Sequence, residues 1–135
     1  MRSRLHDETG MMGKLVIVWL LLFALLGAAA VDTVSIMFTT FHVADVGGKA
    51  ANAGVDAFSR TGNARTACDE AAAFVRAADD AIKLPKRGFC TVNAQSGSVS
   101  ITVKKTAHTL LAGRLGFTRH YAQVVYTETA GLSSV

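Results

Sequence analysis

Hydrophobic residues follow two different patterns in the first half of the chain, and the first is an unbroken run. From Leu15 to Val31 the sequence LVIVWLLLFALLGAAAV contains 17 consecutive uncharged residues. As an α-helix this run is about 26 Å long, and extension to Met37 makes it about 35 Å, against a hydrocarbon core of about 30 Å. The run therefore predicts a transmembrane segment over residues 15–37, preceded by a polar tail of residues 1–14.

Charged residues around the run predict its orientation. Basic residues precede the run at Arg2, Arg4 and Lys14, and none follows it directly, which indicates a cytoplasmic N-terminus and an exported domain of residues 38–135. A carboxylate at the bilayer centre costs at least about 2.5 kcal/mol, so we expect Asp32 to lie near the outer interface, where it reaches water.

A cleaved signal peptide is an open alternative. The basic start, an apolar stretch from Leu15 to Leu26 and the small residues Ala28–Ala30 also fit a secretory signal that is cut after Ala30. Both interpretations export the remainder of the chain. They differ in whether the exported domain stays attached to the membrane.

The second pattern is a helical stripe, with apolar or small residues at alternating spacings of four and three. It predicts one helix that continues from Leu15 to Phe58, with Gly62 as a left-handed cap and a kink as an alternative at Gly47–Gly48. The small residues of the stripe and of the outer end of the run would allow close approach of a partner helix. The alternative is that the exported stripe packs only on the protein's own sheet. The predicted assembly surface comprises Ala24, Gly27, Ala28, Ala30, Val34, Met37, Phe41, Ala44, Gly48 and Ala51.

A second helix and three strands are predicted downstream. Helical spacing of apolar residues indicates a helix from about Thr66 to Lys83. Strands are predicted over 89–95, 99–104 and 119–129, the second from its period-two alternation. Ser96–Gly97 is a turn signal, and 108–115 is either a short helical turn or an apolar loop. The sequence therefore predicts an α+β fold: a long N-terminal helix, a second helix and a small three-stranded antiparallel sheet.

Composition adds little chemistry. The chain has 135 residues, a net charge of +4 and only 18% charged residues.

Cys68 and Cys90 both lie in the exported part, where an oxidising compartment favours one disulfide between them, although two buried free thiols remain an alternative. The four histidines lack metal-ligand spacing and no serine has a nucleophile motif, so we expect no enzyme activity, no cofactor and no small-molecule substrate. The basic clusters at Lys83–Arg87 and Lys104–Lys105 predict a solvated surface, or contact with anionic lipid headgroups or cell-wall polymers. We do not expect nucleic acid as a partner.

Four stretches give the chain a family resemblance. They are Val31–Asp32 at the end of the apolar run, the alanine-rich segments VGGKAANAGVDAF and ACDEAAAFVRAADDAI, and the C-terminal SVSITVKKTAHTLLAGRLGFTRHYAQVVYTETA. With them the chain resembles pilins, and specifically the actinobacterial TadE-like proteins of the tight-adherence (Tad, or Flp) pilus machinery. The resemblance covers roughly residues 15–130.

The resemblance implies a pilin-like fold and a role in assembly. Substrates of the prepilin peptidase have a Glu five residues after a Gly, but Gly10 and Gly13 place Leu15 and Val18 there. The resemblance therefore implies an uncleaved, single-pass cell-membrane protein or minor pseudopilin of a pilus or secretion system. Its expected partners are membrane lipid, other pilin-like or pilus-assembly proteins in the cell envelope, and its own copies. The alternative function is a small secreted binding protein, released after Ala30.

Overall fold

The computed structural model describes residues 5–131 of the chain, and side chains from residue 12 onward, and it has the predicted α+β architecture. Two helices pack on a three-stranded antiparallel sheet. The elements are α1 (Leu5–Thr61), α2 (Ala64–Ala78), β1 (Cys90–Asn93), β2 (Ser98–Thr106), a short 3-10 helix (Arg119–Ala122) and β3 (Gln123–Ala130). Residues 1–4 of the predicted tail and residues 132–135 of the predicted exported domain lie outside the described part.

The first helix is continuous and longer than predicted. It has 57 residues, which correspond to about 85 Å, and it begins at Leu5, inside the predicted polar tail. Gly47–Gly48 does not interrupt it. The helix ends at Thr61, three residues beyond the predicted Phe58. Gly62 is the predicted left-handed cap, and its positive φ of 64° lets its N–H donate to the carbonyl of Phe58.

The second helix is shorter than predicted. It begins at Ala64 because the Asn63 side chain accepts hydrogen bonds from the backbone N–H groups of Arg65 and Thr66. It ends at Ala78 rather than Lys83, because Asp79 is extended and its carboxylate accepts the N–H of Ala81, which forms a local turn. The chain then returns along α2 towards the sheet.

The sheet has the order β1-β2-β3, with both pairs antiparallel. The β1–β2 hairpin closes between Asn93 and Ser98, around the predicted turn. The third strand begins at Gln123, four residues later than predicted, because residues 119–122 form the 3-10 helix. Residues 107–118 form a loop that contains one helical turn, in which the N–H of Leu115 donates to the carbonyl of Leu111, so both features predicted for 108–115 are present.

The core lies between the sheet and both helices. Alternation along β2 buries Val99, Ile101 and Val103 completely, as the period-two pattern predicts. These side chains face α1 and α2, so one face of the sheet covers both helices. The helix residues of the main cluster are Val43, Val46, Ala50, Ala51, Ala71 and Val75.

Two glycines let α1 approach this core closely. A Cβ on Gly47 would lie 3.3 Å from Val103 Cγ2, and a Cβ on Gly54 would lie 3.0 Å from Val99 Cγ1 and 3.1 Å from the carbonyl of Ala67. The two glycines are seven residues apart and therefore share one face of the helix. That face packs on the domain, together with the later residues of the predicted stripe, Ala51 and Val55.

The predicted stripe changes its surroundings along α1. A 4-3 spacing drifts by about 20° per heptad relative to an α-helix, so the stripe rotates by about 80° between Ala30 and Phe58. Its early residues, such as Val34 and Phe41, are exposed and lie away from the buried face, and only its later residues, such as Ala51 and Val55, are buried. Within the exported stripe Phe41 is exposed and Ala44 and Gly48 are half-buried, so only the later part of that stripe packs fully on the protein's own domain.

Candidate functional site

The most unusual surface of the protein is the exposed apolar part of α1. From Leu15 to Phe41 its large hydrophobic side chains are between 46% and 74% exposed, except for Ile36, which is half-buried against the core. This part of α1 is long and apolar enough to cross a membrane. In its most apolar stretch of 18 residues, 6% is buried in the protein's own structure. An exposed apolar surface of this size is typical of a segment that contacts lipid or another protein.

The predicted assembly residues divide into three groups along this helix. Ala28, Ala44 and Gly48 are half-buried, and a Cβ on Gly48 would contact nothing. Ala51 is fully buried against the protein's own domain, so its prediction as an assembly residue is wrong. The exposed group, which remains accessible to a partner helix, comprises Ala24, Gly27, Ala30, Val34, Met37 and Phe41.

Asp32 differs most from its predicted environment. Instead of reaching water, it is 5% exposed. Its carboxylate accepts three backbone N–H bonds, from Leu110 to Oδ1 at 2.5 Å and from Leu111 and Ala112 to Oδ2 at 2.8 Å each. Hydrogen bonds to an ionised acceptor are stronger than neutral ones, so this contact fixes the 107–118 loop to α1 at the end of the apolar run.

The 107–118 loop is further ordered by its own hydroxyl groups. Ser35 Oγ of α1 donates to the carbonyl of His108, and Thr118 Oγ1 donates to the carbonyl of Ala112 at 2.9 Å. Thr109 Oγ1 accepts the N–H of Gly113 at 2.7 Å. The loop carries exposed apolar side chains at Leu110, Leu115 and Phe117, and Tyr121 follows in the 3-10 helix.

A second polar cluster joins α1, the end of α2 and β2. Asp79 Oδ2 accepts hydrogen bonds from Lys105 Nζ at 2.5 Å and pairs with His42 Nε2 at 3.0 Å. The hydrogen bond from the Lys105 ammonium, aided by the backbone N–H of Ala81, lowers the pKa of Asp79 to about 2. This carboxylate is therefore ionised at every physiological pH and connects the three elements.

Basic side chains line a shallow groove beside the 107–118 loop. Its volume is about 340 Å³, and its lining includes Lys83, Lys104, Lys105 and His108. The Lys105 ammonium forms an ion pair with the Asp79 carboxylate. Lys83 and Lys104 are neighbours because their backbones form an isolated antiparallel bridge. A neighbouring groove of about 430 Å³ includes Arg119 and His120. Such basic linings attract anions.

The two cysteines form the predicted disulfide. Cys68 lies in the second turn of α2 and Cys90 is the first residue of β1, with a Cα–Cα distance of 5.8 Å. The pairing is feasible because α2 ends early and the chain returns along it. Within the described residues, no three His, Cys, Asp or Glu side chains are grouped in a way that could hold a metal ion.

Comparisons with protein-family models, with curated proteins and with solved structures found no match. Sequence reasoning did not find the Asp32 contact or the Asp79 cluster. One signal was present: an acidic residue inside an otherwise apolar segment requires a specific partner.

Proposed function

We propose that this chain is a single-pass membrane protein that acts by assembly rather than by catalysis, as a pilin-like or minor pseudopilin component of a pilus or secretion system of the Tad type. The N-terminus would be cytoplasmic and the disulfide-bonded domain would lie outside the cell membrane. One observation carries the proposal: a single uninterrupted helix is apolar and exposed in its first half and forms part of a folded domain in its second.

The exposed side chains favour a retained anchor over release. Cleavage after Ala30 would remove only part of the apolar surface. The released protein would still expose Val34, Met37, Phe38 and Phe41 to water, with exposed fractions from 51% to 74%. These four side chains lie beyond the cleavage site and are best explained by lipid or a partner helix around the whole segment.

The disulfide supports export. A bond between Cys68 and Cys90 persists in an oxidising compartment and not in the reducing cytosol. The distribution of basic residues around the apolar run gives the same orientation.

The exposed stripe supports assembly through helices. Within lipid, helices associate by close packing of small residues, and the outer part of the run presents Ala24, Gly27 and Ala30 with no contact from the protein's own domain. A Cβ on Gly27 would have nothing within 4 Å, so the surface beside it is free. The face of α1 that packs on the domain is on another side of the helix. A partner helix could therefore bind the exposed surface around Gly27 without disturbing the fold.

Disulfide cross-linking in cells tests the assembly proposal. Gly27→Cys and Val34→Cys place thiols on the exposed stripe, and Leu25→Cys and Thr33→Cys are matched exposed controls on other sides of the same helix turns. After mild oxidation we expect covalent dimers, or adducts with sister proteins, from the stripe variants only. Recovery of monomer alone from all four variants, or equal cross-linking at all four, would contradict assembly through this surface.

A further inference from the structure

The 107–118 loop lies beside the part of α1 that the proposed function places in the membrane. Lys14 is the last charged residue before the apolar run, so Leu15 marks its inner limit. Along a straight helix Asp32 lies about 26 Å beyond Leu15, and Phe41 about 39 Å. The hydrocarbon core is about 30 Å thick, and the headgroups extend the bilayer to about 40–45 Å. Asp32, and the loop backbone bound to it, therefore fall within the depth of the outer leaflet.

The middle of the loop, from Leu110 to Leu115, satisfies the main requirement for irregular backbone at that depth. Lipid offers no hydrogen-bond partners, so exposed N–H groups would be costly there. Six consecutive N–H groups, from Leu110 to Leu115, all donate within the protein. The first three donate to Asp32, the fourth donates to Thr109 Oγ1, and the last two donate to the carbonyl of Leu111.

The same contacts explain how a carboxylate is tolerated at this position. A buried charge is costly unless hydrogen bonds replace its water. Asp32 obtains them from the loop, so it has no need to reach the aqueous phase. The loop in turn covers the polar side of α1 and presents Leu110, Leu115 and Phe117 outward, the last with 79% exposure.

Charge around the loop is suited to the lipid headgroups. Between Lys104 and Thr127 the sequence has four Lys or Arg residues and two histidines, and its next acidic residue is Glu128. Arg114, Arg119 and His120 are exposed, and the groove of Lys83 and Lys104 adjoins them. Long basic side chains extend from the interface towards anionic headgroups, and each Lys or Arg near an anionic membrane surface gains about 1 kcal/mol.

From these observations we infer that the 107–118 loop is a second membrane contact: its apolar side chains insert into the outer leaflet beside α1, and the flanking basic residues bind anionic phospholipid headgroups. This inference rests on the membrane anchor proposed above. The domain would consequently lie on the membrane surface with its β1–β2 hairpin directed away, because Ser98 begins β2 at the end opposite to Thr106.

Spin labels on the full chain test this inference in vesicles of phosphatidylcholine and phosphatidylglycerol. Nitroxides are attached to the single introduced thiols of Phe117→Cys, Leu21→Cys and Ala94→Cys, three exposed positions, while Cys68 and Cys90 stay paired. Collisions with oxygen, which concentrates in lipid, and with a nickel chelate, which stays in water, are then compared at each position.

We expect the Phe117 label to resemble the Leu21 label, with several-fold higher oxygen and lower nickel collision rates than the Ala94 label. High nickel accessibility at Phe117 would show that the loop lies in water, and low accessibility to both reagents would show that a protein partner covers it; either result overturns the inference. If the Leu21 label itself lies in water, the proposed anchor fails as well, so the two failures are distinguishable.

Discussion

Asp32 is the residue on which the position of the 107–118 loop depends. The sequence shows a carboxylate at the end of an apolar run, and simple electrostatics predicts that it reaches water. The structure shows that three backbone N–H groups of the distant residues Leu110–Ala112 replace that water. A contact across 78 to 80 residues cannot be found from local pattern, since any turn with free N–H groups could supply the donors.

Replacement of Asp32 tests this contact. In Asp32→Ala the three N–H groups lose their acceptor, so we expect their amide hydrogens to exchange at least about tenfold faster, by local opening of the loop. Hydrogen exchange of the full chain in detergent, followed by mass spectrometry of peptides from residues 107–118, measures this. Asp45→Asn is the control, because Asp45 is exposed and pairs only with Lys49 one turn away. Unchanged exchange in Asp32→Ala would show that the carboxylate does not hold the loop.

The lowered pKa of Asp79 predicts that this residue stabilises the fold in a pH-dependent way. Its pKa is about 2 in the folded protein, because of the hydrogen bond from Lys105, against an ordinary value of 3.8. A lowered carboxyl pKa stabilises the fold above the unfolded pKa, and this contribution is lost as the pH falls from about 4 to about 2. We expect Asp79→Asn to reduce the free energy of unfolding by about 1–2 kcal/mol at pH 7, where partial exposure limits the effect.

Urea unfolding of the full chain in detergent, followed by circular dichroism at several pH values, measures this difference. The difference between wild type and Asp79→Asn should persist at pH 5 and disappear near pH 2. A difference that is constant down to pH 2 would show that the Asp79 side chain acts by packing rather than by charge.

At the scale of elements, the central fact is that α1 has two different faces. The sequence predicts the existence, continuity and end of this helix, because apolar spacing and Gly62 are local signals. It does not identify the buried face, because the 4-3 spacing of apolar residues drifts around the helix. The buried face contains Gly47, Ala50 and Gly54, whose small size matters only when the sheet is in place. Small residues in a sequence do not show whether their partner is the same chain or another.

Two glycine-to-alanine substitutions test which face of α1 packs on the domain. Gly54→Ala would place a Cβ 3.1 Å from a backbone carbonyl and 3.0 Å from Val99 Cγ1, so we expect a loss of stability of about 1–3 kcal/mol. Gly48→Ala, six residues earlier, has free space, and its higher helix propensity should add about 0.5–1 kcal/mol. Thermal unfolding of both variants in detergent compares them. Equal effects of the same sign would contradict the packing of α1 described here.

For the whole molecule, the disulfide offsets a small core. The sheet has three strands, and the largest fully buried side chains are Ile101 and four valines, Val43, Val75, Val99 and Val103. The sequence predicts the pairing of Cys68 with Cys90, but not the early end of α2 that allows it, because that end depends on the contacts of Asp79 with α1 and β2. Elements were therefore easier to predict than the contacts that order them.

Removal of the disulfide should be costly. The bond joins two residues that are 22 positions apart in the sequence. In the chain-entropy description, closure of a loop of that size adds about 3 kcal/mol to the free energy of unfolding. We expect the double variant Cys68→Ser/Cys90→Ser to lose about this much in urea unfolding in detergent. Wild-type protein with a reducing agent should lose a similar amount, and unchanged stability in both samples would show that the bond has no structural role.

The central claim is that the apolar part of α1 remains in the mature protein as a membrane anchor. Intact-mass measurement of the native protein, after alkaline carbonate separates integral membrane proteins from soluble ones, tests this claim most directly. We predict a chain in the membrane pellet whose mass includes residues 15–31. A soluble chain that begins at Val31 would contradict the account.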